Sequence, residues 1–296
     1  MEAPAGARRR GFPVPGPAGM LWGGLGRRGG GPGGANGPER DGPIPSPGRF
    51  LWRSGLGARL GGPPVKTAVA RCPSGPYLDL GPYFPRGVFA FLTLRGDHDV
   101  SPEGLSRFLK DRGHPGIRVH RADQVHSDRV VRADEAPCAA DALVGDRPGE
   151  AVRVVTADCV PILLCTSDGT RVAAVHSGWK GTLSRIVERA AQALSPDPSD
   201  LTAYVGPAVG PCCYGVDEAR HRAFREAFPG WVGEGRGALS LDLAGLNARM
   251  LTSLGLRAEN LHVESRCTAC EALLCCSYRR DGERAGRMAA VIGRSG

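Results

Sequence analysis

Three residues of this chain have types that could do chemistry together. They are His126 in Gln124-Val125-His126, Cys159 in Ala157-Asp158-Cys159, and His176 at the head of His176-Ser177-Gly178-Trp179-Lys180-Gly181. Two imidazoles and one thiolate are a donor set that zinc accepts while keeping a fourth position open. An ion held that way lowers the pKa of its water to about 7, so the set points to a metal-dependent hydrolase or transferase. Each residue alone has a plainer reading. Cys159 could be a buried apolar thiol, and His126 and His176 are two of seven histidines. The three lie far apart in the chain, so their meeting depends on the fold.

Neighbouring residues add to the set. Asp158 stands between two apolar runs, where a carboxylate needs a hydrogen-bonding or a chemical role. It could orient a ligating imidazole, carry protons in catalysis, or cap a turn. The glycines after His176 suit a turn at which backbone approaches a ligand, and the helix start beside Lys180 would draw an anion such as phosphate. A tight turn with Trp179 in the core fits the same residues. Ser277-Tyr278-Arg279-Arg280-Asp281-Gly282 carries guanidinium forks, Arg279 and Arg280, which suit phosphate or simply a solvated loop. Cys267-Thr268-Ala269-Cys270 has a chelate spacing and, with Cys275-Cys276, makes a rival zinc site, although an adjacent pair is poor geometry for a four-thiolate knuckle. Cys212-Cys213, in a Gly/Pro-punctuated loop, reads as a rigid turn with buried sulfur.

The elements that must position these groups alternate along the chain. Strands are expected over 87–94, 117–120, 129–131, 151–156, 161–165, 171–175, 201–205, 261–264 and 288–292, from their apolar, β-branched and aromatic content. Helices are expected over 101–112, capped by Ser101, over 182–194, where Leu183, Ile186, Val187, Ala190 and Leu194 share a face, over 217–228, and around 251–256. Interspersed strands and helices place the fold in the α/β or α+β class.

Bulk composition narrows the function. Gly and Pro make up 30 of the first 64 residues, a composition that favours a disordered tail. The remainder, 65–296, is long enough for one well-buried domain. Of the formal charge of +8, about +6 sits in the tail, as nine Arg against Glu2, Glu39 and Asp41, so the rest is close to neutral. That argues against nucleic acid as a partner, which needs basic groups clustered on an ordered face. Nothing reaches the ~20 apolar residues of a membrane span, and no continuous apolar core of a secretory signal is visible. The ten cysteines are therefore read as reduced thiols of a cytoplasmic protein, with Arg8-Arg9-Arg10 leaving a mitochondrial or plastid transit peptide as the alternative.

Taken together and in order, the motifs resemble one family. Gln124-Val125-His126, Thr156 to Pro161, His176 to Gly181, Gly206-Pro207 through Gly210-Pro211-Cys212-Cys213-Tyr214, Cys267 to Cys270 and Ser277 to Gly282 follow the pattern of the YfiH family. This is the polyphenol oxidase or laccase-domain family of purine nucleoside phosphorylases, and the resemblance runs from about Gly87 to Ile292. It implies a single domain of mixed sheets layered between helices (αββα) and a zinc ion on His126, Cys159 and His176. It also implies phosphorolysis of adenosine, inosine, guanosine and S-methyl-5'-thioadenosine, and hydrolytic deamination of adenosine, with purine nucleosides and phosphate as partners. The chain departs from the pattern in three places. The segment after Arg95 runs almost directly into Ser101, shortening a loop that lines the site in the family; Cys275-Cys276 replaces two Phe; and Ser177 replaces Ala.

Two other readings compete. Cys159 as nucleophile and His176 as base would make an amidase, and the shortened front loop would allow a non-catalytic interaction protein on the same fold. Multicopper oxidase chemistry, the family's older label, needs roughly three times as many imidazoles as His126 and His176 supply, and no His-x-His pairing occurs.

Overall fold

The computed structural model describes residues 64–233 and 239–296. The expected tail, residues 1–64, lies outside them apart from Pro64. The described residues build two six-stranded mixed sheets. One runs in the spatial order β1 (Val69–Cys72), β2 (Gly75–Asp79), β3 (Val88–Thr93), β12 (Met288–Arg294), β7 (Glu150–Thr156), β4 (Arg118–Arg121). The other runs β11 (Leu261–Val263), β10 (Leu201–Val205), β8 (Val160–Thr166), β9 (Val172–Ser177), β6 (Ala142–Gly145), β5 (Val130–Arg132). The pairs β4–β7, β10–β11 and β5–β6 are parallel and the other named pairs antiparallel.

Side chains alternate across each strand, and both faces are buried. In β12, Met288, Ala290 and Ile292 face the opposite sheet, while Ala289 and Val291 face α1 (Pro102–Lys110) with Leu105, Phe108 and Leu109. In β8, Leu163 and Cys165 face the first sheet, whereas Ile162 and Leu164 face α3 (Ile186–Leu194) and α5 (Leu243–Ser253). The layers are therefore helix, sheet, sheet, helix, the expected αββα arrangement. Strands covered on both faces have no polar side to show, which is why they read as continuous apolar runs.

Several local expectations change. The single helix over 182–194 is two, α2 (Trp179–Leu183) and α3, broken where Arg185 adopts φ 59°. That turn aims the Arg185 guanidinium over the Phe228 ring at 4.8 Å and onto the Ala227 carbonyl at 3.1 Å, a tertiary demand that apolar spacing does not show. The hairpin β1–β2 and the short strand β6 were not expected; Pro73, Gly75 and Pro76 mask the first. The helix expected near 251–256 begins earlier, at Leu243, capped by Asp242 accepting from the Gly245 N–H. Cys275 and Cys276 are buried in the layer between the sheets, so they are packing residues rather than partners of Cys267 and Cys270.

The connections between the sheets place the candidate site. The chain leaves β4 in one sheet and enters β5 in the other, crossing through residues 122–129. It crosses again between β7 and β8 through Ala157-Asp158-Cys159. The end of β9 lies beside that second crossing, with Pro161 opposite His176 and Val160 opposite Ser177. Both crossings and the end of β9 thus meet at one edge of the sandwich. The α4 helix (Glu218–Ala227) and the single turn α6 (Tyr278–Asp281) complete the fold.

Candidate metal centre

At that edge the ligand atoms of His126, Cys159 and His176 all lie within 4.8 Å of one another. Cys159 Sγ is 3.9 Å from His126 Nε2, and the two imidazole centroids are 4.9 Å apart at an interplanar angle of 80°. Tetrahedral zinc with bonds near 2.3 Å to sulfur and 2.0 Å to nitrogen would set S and N about 3.5 Å apart, so the spacing fits one shared ion. His176 is buried, Cys159 half-buried and His126 exposed, so the group opens to solvent on one side, where a fourth position would lie.

A residue not singled out in the sequence organises the group. Asp141 is fully buried and accepts from His176 Nδ1 at 2.8 Å, which leaves His176 Nε2 to face the centre. A carboxylate behind a ligating imidazole fixes its tautomer and raises its basicity. The same carboxylate accepts from the N–H groups of Val125, His126 and Ser127 at 3.2, 3.0 and 2.6 Å, and from Ser127 Oγ at 2.8 Å. These bonds hold His126 at φ 58°, a left-handed conformation that a non-glycine residue keeps only when its surroundings impose it. Asp141 sits between Ala140 and Ala142, a carboxylate in an apolar run just as Asp158 is, so its sequence position carries the same signal. Gln124 explains the start of its motif: its amide donates to the Val155 carbonyl and accepts from the Val155 N–H, both at 2.8 Å, tying the His126 loop to the strand that leads to Cys159.

The charges respond to one another. Burial pushes the Cys159 thiol up, but hydrogen bonds with His126 and His176 outweigh it and bring it down to about 7. Burial pulls His176 down, yet the bonds to Asp141 and Cys159 carry it up to about 9. Asp141 is held well below the usual carboxylate range despite burial, by His176 and the Ser127 donors. Both shifts favour a thiolate beside an imidazolium, and a dication would take the place of that proton.

Two small residues make room. A Cβ on Gly178 would lie 2.9 Å from Cys159 Sγ and 3.0 Å from His126 Cδ2, so only glycine fits against the pair. Ser177 closes a buried ring: its Oγ donates to Asn247 Oδ1 at 3.0 Å, Asn247 Nδ2 donates to Thr182 Oγ1 at 3.0 Å, and the two hydroxyls are 3.0 Å apart.

The remaining expected site residues form the surroundings. Asp158, buried and at φ 91°, accepts from Thr268 Oγ1 and from the Arg279 N–H, each at 2.5 Å, so both its oxygens are occupied. Arg279 Nη2 donates to the Gly215 carbonyl, and its guanidinium lies 5.4 Å from the Tyr214 ring centroid. Lys180 is exposed, with Nζ 5.6 Å from the Trp179 ring, and Arg220 lies over that ring at 4.8 Å. Arg280 is engaged differently from its expected phosphate contact: its guanidinium bonds the carbonyls of Thr268, Ala269 and Cys275 and both oxygens of Asp281, so it clamps a loop. The α2 helix is five residues long, so little dipole is available for an anion there. The shortened segment after β3 is pinned by Arg95, whose N–H donates to the Leu274 carbonyl at 2.7 Å. Two open grooves of about 570 and 600 Å³ run along β2, β3 and α1 and include none of these residues.

Residues 96–295 match the family described as multi-copper polyphenol oxidoreductase laccase. The chain belongs to that family. A relative in Deinococcus radiodurans, named purine nucleoside phosphorylase, is 42% identical over 217 residues, covering 70% of this chain and 83% of its own. The Escherichia coli K12 protein named purine nucleoside phosphorylase YfiH is 34% identical, covering 77% of this chain and 95% of its own. Among solved structures, a Bacillus licheniformis hypothetical protein YfiH superposes with a TM-score of 0.65 at 26% identity, over 76% of this chain and 97% of that one. The laccase-domain chain thus has relatives named as enzymes of purine nucleosides, and its mixed-sheet fold is theirs. No described helix is long and apolar enough to cross a membrane.

Proposed function

We propose that this chain is a zinc-dependent purine nucleoside phosphorylase, with residues 65–296 as its catalytic domain. The observation that carries the reading is the convergence of His126, Cys159 and His176, with Asp141 behind His176, at the edge where the chain crosses between sheets. Relatives named purine nucleoside phosphorylase support the reaction class. The substrates are adenosine, inosine, guanosine and S-methyl-5'-thioadenosine, and adenosine is also deaminated hydrolytically. Two nitrogens and one sulfur suit zinc, and among the described residues the only other group of potential metal ligands is four thiols, which does not make a multicopper set.

A zinc ion held there supplies Lewis-acid chemistry to the bound nucleoside. Asp141 holds His176 with Nε2 toward the centre, and hydrogen bonds from His126 and His176 lower the Cys159 thiol toward neutral pH. Lys180, beside the Trp179 ring, and Arg279, beside the Tyr214 ring, offer positive charge for phosphate. Asp158 would carry a proton only after Thr268 or Arg279 releases one oxygen, so its first role is to hold the Arg279 loop. The cytoplasm is the proposed compartment, since a thiolate ligand needs reduced sulfur.

Incubating the purified full chain with adenosine, with and without phosphate, tests this. Adenine and ribose 1-phosphate should form only with phosphate, inosine in both cases, and a chelator should stop both reactions. Absence of all products would overturn the reading.

One observation favours a second reading: Cys159, His176 and Asp141 also form a nucleophile–base–orienter series with a lowered thiol pKa. An amidase of that kind would lose activity to iodoacetamide when zinc-free and would be indifferent to chelators.

A further inference from the structure

Away from the first centre, four thiols that sequence spacing placed in separate loops come together. The sulfurs of Cys212, Cys213, Cys267 and Cys270 all lie within 4.8 Å of one another. Cys270 Sγ is 3.7 Å from Cys212 Sγ and 3.4 Å from Cys213 Sγ. A tetrahedral zinc with four bonds near 2.3 Å separates its sulfurs by about 3.8 Å, so the cluster needs little adjustment to enclose one ion.

We propose that these four cysteines bind a second, structural zinc ion. Three observations support it besides proximity. First, the backbone already approaches one sulfur: the Gly210 N–H donates to Cys267 Sγ at 3.2 Å. N–H groups turned toward a sulfur stabilise the thiolate a metal requires. Second, burial does not explain Cys212 and Cys270. Cys212 and Cys270 are exposed, while the packing thiols Cys165, Cys275 and Cys276 are buried. Third, the loops fit closely without side chains in the way: a Cβ on Gly210 would sit 3.3 Å from Cys267 Cβ and 3.4 Å from Cys212 Sγ. A disulfide would use one pair and leave two thiols without a role, whereas one ion uses all four.

The site would act on the first centre through Thr268, which lies between Cys267 and Cys270. Thr268 Oγ1 donates to Asp158 Oδ1, next to Cys159, and its backbone N–H donates to the Ala208 carbonyl at 2.9 Å. Fixing the 267–270 turn to the 210–213 loop therefore fixes the position of Asp158. This inference does not depend on the proposed reaction.

The test is metal content of the full chain purified in zinc, with Cys267→Ser/Cys270→Ser and Cys159→Ser prepared alongside. Wild type should carry about two zinc ions per chain, and each variant about one. Cobalt-loaded protein should lose most of its thiolate-to-cobalt absorption in the Cys267/Cys270 variant and little in Cys159→Ser. Should that variant fail to fold, thiol titration of Cys159→Ser with and without chelator decides: chelation should expose the half-buried Cys213 and Cys267 and speed the reaction of Cys212 and Cys270. Unchanged zinc content in the Cys267/Cys270 variant, chelator-independent thiol reactivity, or a disulfide joining Cys270 to Cys212 or Cys213 in non-reduced protein, would overturn the proposal. Failure of the first centre would show separately, as unchanged zinc in Cys159→Ser.

Discussion

Replacing Gly178 by Ala perturbs the first centre without straining its own backbone. Gly178 has φ −76° and ψ −175°, which alanine adopts freely, so any effect comes from the added methyl. That methyl would stand 2.9 Å from Cys159 Sγ and 3.0 Å from His126 Cδ2. Comfortable carbon contacts lie at about 3.5–4.0 Å, so the neighbours must retreat by roughly 0.5–1 Å. Neither retreats easily. His126 is held left-handed by Asp141, and Cys159 sits in the crossing between sheets. Metal sites tolerate bond-length errors of only about 0.2 Å, so the displacement falls directly on zinc affinity. A loss comparable to that from removing an orienting partner, about 10–100-fold, is expected. Overpacking should add a stability cost of about 1–3 kcal/mol. Competition against a chromophoric chelator measures the first and thermal melting the second. Wild-type zinc affinity in a folded Gly178→Ala variant would refute the view that His126 and Cys159 share one ion.

Asp141→Asn should weaken zinc binding by about 10–100-fold, because the amide cannot accept from both His176 and three backbone N–H groups; metal competition checks it, and unchanged affinity would count against the orienting role. Zinc affinity should rise steeply with pH below about 7, where Cys159 and His176 both shed protons on binding, less steeply between 7 and 9, and level off above about 9, as calorimetry in several buffers can count. In metal-free protein the raised His176 contributes stability that is full below its ordinary 6.5 and lost as pH climbs through about 9, while depressed Asp141 contributes stability present above its ordinary 3.8 and lost in acid; chemical denaturation across pH should show both edges. Ser177→Ala leaves Asn247 Oδ1 without its donor inside the core and should cost about 1–3 kcal/mol, seen as a lowered melting temperature with zinc content unchanged.

Much of this was legible in the residues, and the gaps have physical causes. Runs such as Val160 to Thr166 could be read as strands because both their faces are covered, which leaves no polar residue to interrupt them. The ligand types at 126, 159 and 176 suggested a centre, but proximity depends on two crossings between sheets, and no local pattern encodes a crossing. Asp141 escaped notice because its partners are backbone N–H groups fifteen or so residues earlier and an imidazole beyond it. Arg280 and Arg279 look equivalent as neighbours in sequence, yet one clamps carbonyls and the other lies over Tyr214, a difference set by the turn at α6. Spacing alone pairs Cys267 and Cys270 with Cys275 and Cys276, which are near in sequence; the isolated bridge between Ala208 and Cys267 brings the distant pair instead.

The central claim is that one zinc ion is shared by His126, Cys159 and His176. An anomalous difference map, collected at the zinc edge from crystals of the zinc-loaded full chain, tests it most directly. The account predicts a peak about 2.3 Å from Cys159 Sγ and about 2.0 Å from a ring nitrogen of each histidine, with Asp141 still on His176 Nδ1. A map with no density between these three side chains, from protein that splits nucleosides, would contradict it.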